Sequence, residues 1–453
     1  MQSTNLIRPK RIGIIGGGVA GMTTAWLLQH DHEVTLFERA EALGGHVQTL
    51  PVDLDGETVH AEIGPRFFFD SSYPYFLGLL RVLDLPLRWC DAHISYTDAA
   101  RQQTVVLPPR SPGQIWSLLR SKALLRHVLC LQRLSQEAAA VAARRDWTLT
   151  LREYLERNGY PASFGPELIY PFLAASWGAP LDEIPRFPVY SLLKGMRRSP
   201  GKKLGFYEID GGMSRYMRAF AEQLTRVDVR LGAGVRRILS SDGFLVEDEQ
   251  GRWHRFDELV FATSSRDATA LLYGVPAAAD MLAIVRQFRH FEANIVVHGD
   301  PSFMPPSRED WSHVNLVNDG DAAWMSDWSG WRRGLPVFRT WMPKHRALPQ
   351  PLYGQRRFHH LLMSPDNARL QRRIAALQGT SGLWMVGMYA ADVDNHESAL
   401  LSAMVPAQAL ARRSPNLRRL LAAVGRDAAH DLSILPRPLG RRIHDASDAP
   451  AAA

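Results

Sequence analysis

An α/β fold built on a parallel sheet is what this sequence predicts, and three observations near its start predict it. An apolar run at 12–15 reads as a buried strand. Gly16, Gly18 and Gly21 follow at G-x-G-x-x-G spacing and open an apolar helical stretch, 19–29. A second short strand, 33–37, ends at an acid, Glu38, about twenty residues after the glycines. Gly16 permits the tight turn from strand to helix. Gly18 lets backbone approach a pyrophosphate, and Gly21 lets the helix pack closely on the strand. The helix begins at Val19 and Ala20, where free N–H groups and the helix dipole favour phosphate. Glu38 stands where an acid accepts hydrogen bonds from a ribose. Together these make a Rossmann-type dinucleotide-binding unit, which NAD and FAD both use.

The next residues separate the two cofactors. Glu38-Arg39, then Leu43-Gly44-Gly45-His46-Val47-Gln48-Thr49, resembles the E-R-x-x-x-L-G-G-x-x-x-T extension of FAD-containing amine oxidases, protoporphyrinogen oxidases and phytoene-type desaturases. The resemblance implies FAD, with Arg39, Gly44, Gly45 and His46 among its contacts. It also implies a Rossmann-type, amine oxidase-like FAD-binding domain with an interleaved α+β substrate domain.

The composition agrees with a folded chain of that size. At 453 residues, 46% hydrophobic and 22% charged, the chain suits two intertwined domains. The net charge of +7 is scattered through arginines, which argues weakly for anionic partners such as lipid headgroups or acidic substrates. No basic, aromatic-interleaved nucleic-acid motif is present. Cys90 and Cys130 have no metal-ligand spacing, so no metal is expected, and both read as core. MQSTNLIRPK carries no apolar signal region, and no run reaches transmembrane length without charges. The expected location is the cytoplasm, with peripheral contact at the inner face of the membrane as an extension.

The remaining elements follow in order. Residues 52–61 read as a hairpin turning at Asp55-Gly56. The segment 61–66 follows, and in the flavin family its counterpart passes the isoalloxazine ring, so Gly64, Pro65 and Arg66 become candidates by resemblance. On the residues alone Gly64-Pro65 reads equally well as an ordinary turn. A helix from 75 ends by Asp84, because Pro86 cannot continue it. Residues 112–145 read as helix with leucines on most sides of the wheel, which predicts burial. The interspersed Arg120, Lys122, Arg126 and Arg133 make membrane docking the alternative. Further helices are expected at 149–158 and 166–175. Asp210-Gly211-Gly212-Met213 opens a helix to about 224. Four runs, 227–231, 235–239, 243–247 and 253–257, alternate like an antiparallel meander, and 259–263 returns as a buried parallel strand. By resemblance this is the family's second FAD block, with Val235 at adenine and Ala262 and Thr263 at the strand end. Residues 276–380 are tryptophan-rich. They read as the core of a sheet-based domain, with Trp311 and Trp341 as candidate walls of a substrate pocket. Residues 383–387 form a strand ending at Gly387, and 392–398 precede a helix at 399–412. By resemblance this is the third FAD block, aimed at the flavin's pyrimidine edge and adding His396, Glu397 and Ser398. From about 426 the composition turns to Pro, Arg, Asp and Ala and predicts disorder.

Later motifs narrow the resemblance. Gln287-Phe288-Arg289-His290 with 294–300, Asp310-Trp311-Ser312-His313-Val314-Asn315 and Thr340-Trp341-Met342 are similar to stretches of bacterial NAD/FAD-binding oxidoreductases associated with cyclopropane-fatty-acid-synthase-like proteins. That group's H-E-D-G reads His396-Glu397-Ser398-Ala399 here, and its T-G-F reads Ile63-Gly64-Pro65. The implied division is FAD-binding at 10–70, 202–275 and 380–425, with the substrate domain at 71–201 and 276–379. Arg66, His313, His396 and Glu397 are the catalytic candidates around the ring. Three readings follow. The first is an FAD-dependent oxidase, dehydrogenase or desaturase acting on an apolar, lipid-like substrate. The second is an amine oxidase, and the third is a non-catalytic flavin-binding partner of a lipid-modifying enzyme.

Overall fold

A computed structural model describes residues 8–69, 71–196 and 205–424. The tail from 426 and the boundary at 201/202 lie outside the described residues.

The strand Arg11–Ile15 is the third of five in a parallel sheet. It pairs with Glu33–Phe37 on one side and Glu258–Phe261 on the other. Val227–Arg230 and Leu383–Met385 form the two edges. Both faces are covered, as a parallel sheet requires, and Ile12 and Ile14 are fully buried. The helix Val19–Leu28 is buried along its whole length because it runs between this sheet and the largely buried helix His396–Leu410. The sheet therefore draws on three separate stretches of chain, and the carboxyl ends of its strands collect on one edge.

A second, seven-stranded sheet runs in the order Leu352–Leu361, His290–His298, Phe338–Trp341, Ala323–Trp328, Val314–Asn318, Ile94–Asp98, Gln103–Leu107. The hairpin of Thr49–Leu54 and Glu57–Glu62 turns at Asp55-Gly56, where both residues have positive φ, as expected of a two-residue turn. It lays Val52, Val59 and Ala61 against Ile295, Val297 and Phe358 of the large sheet, which joins the two halves of the molecule. On Phe338–Trp341, alternation puts Arg339 and Trp341 on the face toward this hairpin, and Phe338 and Thr340 on the other.

Three expectations need correction. Residues 112–145 form two helices, Pro112–Arg120 and Lys122–Arg144, with Ser121 as N-cap of the second, accepting from the Leu124 N–H. The first buries no residue, and Ile115, Trp116, Leu119 and Leu129 are exposed. Only one stripe of the second helix, including Leu131, Leu134 and Ala138, enters the core. Burial was expected because the break merged two helical wheels into one. Next, Val227–Arg230 belongs to the parallel sheet, so the antiparallel meander has three strands and not four. Finally, the helix expected at 399 begins at His396, because the Asn395 side chain accepts from the Ser398 N–H and caps it.

Candidate functional site: a dinucleotide cleft and a polar pocket

The glycine turn sits where four parallel strands end. Its neighbours come from distant parts of the chain. The Ala262 N–H donates to the Ile15 carbonyl, the Val386 N–H donates to the Phe261 carbonyl, and the Ala233 N–H donates to the Glu38 carbonyl. Gly16, Gly18, Glu38, Val235, Ala262, Thr263 and Gly387 are thereby gathered on one edge. Gly44 and Gly45 close over the turn, with the Gly44 N–H donating to the Gly17 carbonyl at 2.9 Å. Arg39 is exposed beside them. The Glu38 carboxylate accepts from the Gly17 N–H at 2.7 Å and from the Ala40 N–H at 2.8 Å. It braces the turn, and each oxygen keeps a lone pair for a ligand hydroxyl.

The cleft fits FAD on two observations. The helix Val19–Leu28 starts with no side-chain cap and no acid in its first turn, so its first N–H groups are left for a phosphate. A Cβ on Gly18 would meet only the Gly45 Cα, at 3.9 Å, so bare backbone forms a cradle there. Farther along, Trp341 Nε1, His360 Nε2, Asp394 Oδ1, His396 Nε2 and Ser398 Oγ are buried without hydrogen-bond partners in the protein. Trp341 and Asp394 adjoin His360, and His396 and Ser398 follow Asp394 in the chain. His360 Nδ1 lies 3.3 Å from Asp394 Oδ2, its ring is 5.4 Å from Trp341 and 5.5 Å from His46, and His46 packs on Phe358 at 4.7 Å. Buried polar atoms are almost always paired, so these five leave hydrogen-bonding capacity for a bound ligand. Two of the imidazoles are neutral: burial pushes His46 down to about 4 and His396 down to about 3.

The four catalytic candidates do not meet. His396 lies with the cluster just described, against Phe76 and Tyr216. Glu397 beside it turns away, its two oxygens accepting from the Tyr75 and Phe76 N–H groups at 2.8 Å each. It caps the helix Pro74–Val82, a structural task. Arg66 leaves the Gly64-Pro65 turn in another direction and pairs with Glu208, Nη2 to Oε1, at 2.9 Å. His313 accompanies Arg66, with its ring 4.1 Å from Trp331, and burial followed by the charge of Arg66 pushes it down to about 4. Gly64 itself stays with the cleft, lying against the His46 carbonyl while Arg339 donates to its own carbonyl. The two tryptophans separate as well. Trp341 faces His360. Trp311 packs edge-on against Trp328 and Phe338, on the opposite face of the strand, and donates to the Pro305 carbonyl at 2.9 Å. His360, Phe358 and Asp394 were missed because each is a lone residue in a strand or loop, with no spacing to mark it.

Comparison with known proteins identifies the family. The family model for flavin containing amine oxidoreductases matches residues 19–299. The chain belongs to that family. FAD is its cofactor. A carotenoid phi-ring synthase of Streptomyces griseus is 41% identical over 75 residues, covering 16% of this chain and 14% of that protein. A coproporphyrinogen III oxidase of Mycobacterium tuberculosis is 31% identical over 145 residues, 29% of each chain. The chain thus matches less than a third of either curated relative. A solved structure of a CLA-producing fatty acid isomerase from P. acnes shares the fold, with a TM-score of 0.65 over 90% of this chain and 99% of that one at 15% identity. Among the described residues, no helix is long and apolar enough to cross a membrane.

Proposed function

We propose that this member of the family is an FAD-dependent oxidoreductase that takes a hydride from an apolar, lipid-like substrate. The observation that carries the reading is the cluster of unpaired buried polar atoms at Trp341, His360, Asp394, His396 and Ser398, beside the glycine cradle. Bound FAD supplies the chemistry by accepting a hydride from a substrate C–H. The chain does the rest. Gly16 to Gly21 hold the pyrophosphate, Glu38 holds the ribose, and Val235 lies at the adenine. Gly64 and Pro65 with His46 line one side of the ring position, and the start of the helix His396–Leu410 lines the pyrimidine edge. Neutral His46 and His396 keep the site free of competing positive charge, while the helix N–H groups stabilise negative charge as it develops. Trp341 and Phe358 exclude water and offer an apolar wall. The FAD-binding unit is 10–70, 202–275 and 380–425, and the inserts 71–201 and 276–379 form the substrate domain. The carotenoid and fatty acid names among the relatives support an apolar substrate.

Anaerobic mixing of the purified yellow holoprotein with a panel of fatty acids, isoprenoids and amines tests this. Bleaching of the 450 nm band by an apolar member is the expected result. Reduction by amines alone, with peroxide release in air, would assign an amine oxidase. A flavin that no panel member reduces would favour a non-catalytic partner of a lipid-modifying enzyme.

The exposed helix Pro112–Arg120 supports contact with an anionic membrane. Ile115, Trp116 and Leu119 are 48%, 64% and 53% exposed, and Arg120, Lys122 and Arg126 flank them. Apolar side chains rimmed by cations suit a negative interface. Vesicles with anionic lipid should bind the protein, and Trp116→Ser with Leu119→Ser should reduce the bound fraction severalfold. Equal sedimentation of the double variant and the parent protein would exclude this surface.

A further inference from the structure

The polar group around Arg66 lines a pocket of about 210 Å³ whose lining does not include His46. The hairpin strand Glu57–Glu62 contributes Glu62, the strand Gly205–Ile209 contributes Glu208, and the turn at 329–333 contributes Ser329 and Arg332. We propose that this pocket binds the oxyanion group, a carboxylate or phosphate, of a small ligand, with Arg66, Arg332 and Ser329 as its donors.

The argument begins with Arg66. Its side chain is all but enclosed, at 9% exposure for the residue. Nε and Nη2 are satisfied by one oxygen of Glu208, at 3.0 and 2.9 Å. Nη1 is buried with no partner in the protein. Ser329 Oγ, in the same pocket wall, is likewise buried and unpartnered. A guanidinium N–H and a hydroxyl left unpaired in residues that line one pocket each carry a desolvation cost that an acceptor bound there would remove.

The charge balance points the same way. The other oxygen of Glu208 accepts from Arg332 at 2.9 Å, so one carboxylate serves two guanidiniums, and Asp327, whose charge also reaches Arg66, is already paired with the buried Arg339, so a surplus positive charge remains at the inner wall. Glu62 offsets little of it below neutrality, because burial pushes its carboxyl up to about 7 while the Met213 N–H and Thr49 hydroxyl hold it. The rim arginines are already committed: Arg88 pairs with Asp210 and Arg333 with Glu57. One oxyanion at Arg66 Nη1 and Ser329 Oγ completes the balance. Arg332, half-exposed beside it, closes the site. None of this depends on what the flavin oxidises.

Titration calorimetry of the full-length holoprotein with inorganic phosphate and, separately, with hexanoate tests the proposal. Saturable one-to-one binding of at least one of them is expected. Arg332→Gln leaves Glu208 to neutralise Arg66 alone, so it should weaken binding at least tenfold. Arg332→Lys should restore most of it, and Ser329→Ala should weaken it severalfold. Tighter phosphate binding would identify a phosphorylated ligand, and tighter hexanoate binding the carboxylate end of an organic acid. Absence of binding by both probes, or affinity unchanged in both Arg332→Gln and Ser329→Ala, would overturn the assignment. Circular dichroism of each variant separates loss of the site from loss of the fold.

Discussion

Gly21→Ala is expected to give protein that purifies with less than a tenth of the parent's FAD. A Cβ built on Gly21 lies 1.9 Å from the Gly16 carbonyl oxygen and 3.1 Å from its carbonyl carbon. That neighbour is backbone, so no rotamer relieves the overlap. The Ala262 Cβ at 3.2 Å blocks retreat toward the next strand. Either the helix Val19–Leu28 lifts from the strand Arg11–Ile15 or the Gly16–Gly18 turn deforms, and both displace the N–H groups proposed to receive the pyrophosphate. Overpacking of this kind costs about 1–3 kcal/mol, and each 1.4 kcal/mol is about tenfold in affinity. The ratio of absorbance at 450 and 280 nm, with FAD measured after heat release, reads the effect directly. A variant that retains FAD at parental stoichiometry would mean that helix and strand need not approach so closely. Glu38→Ala is a useful companion. It leaves the helix in place but strands the Gly17 N–H as well as removing the proposed ribose partner, so it should also loosen FAD, by a separate route.

The contrast between these residues and the later site explains what was legible in the sequence. From Arg11 to Thr49 every signal is local: strand, glycines, helix, strand and acid lie within one supersecondary unit, and each residue type follows from a contact a few positions away. That unit could be read from about forty consecutive residues, and the cofactor from the family resemblance they carry. The strand Val227–Arg230 could not, because alternation does not record whether its partner is Glu33–Phe37, far back in the chain, or the next strand along. Burial of the helix Pro112–Arg120 failed for a related reason. Its apolar residues say that something should cover them, and nothing in the described residues does. Arg66, His313, His396 and Glu397 were grouped by family position, whereas the directions of their side chains depend on partners such as Glu208, Trp331 and the start of Pro74–Val82. Those partners are fixed only when the two sheets meet.

The same logic identifies the substitution expected to cost the most stability. Asp392 lies in the segment that leads to Asn395 and the helix His396–Leu410, and its side chain is fully buried. It forms an ion pair with Lys194, whose side chain is 7% exposed, and accepts from the Tyr190 hydroxyl at 2.6 Å. Its carbonyl accepts from the Gln371 side chain at 2.7 Å. Arg145 is the next cation, at 3.9 Å. Asp392→Asn keeps the size and tolerates the positive φ of 55° at this position, but it leaves the Lys194 ammonium buried without an anion. Removing one partner of a buried pair costs about 3–5 kcal/mol, a large share of the roughly 5–15 kcal/mol that holds a domain folded. Lys194→Met should cost less, since the carboxylate keeps Tyr190 and gains weight from Arg145. Combining Lys194→Met with Asp392→Asn removes both charges and should recover more than half of the loss from Asp392→Asn alone. Urea unfolding at fixed excess FAD, followed by tryptophan fluorescence, gives the three midpoints. Additive losses in the double variant would mean that Asp392 acts through its hydrogen bonds and backbone conformation, and not as the counter-ion that keeps Lys194 buried. A large coupling would locate the anchor of the 392–398 segment, and with it His396 and Asp394, in one buried charge pair.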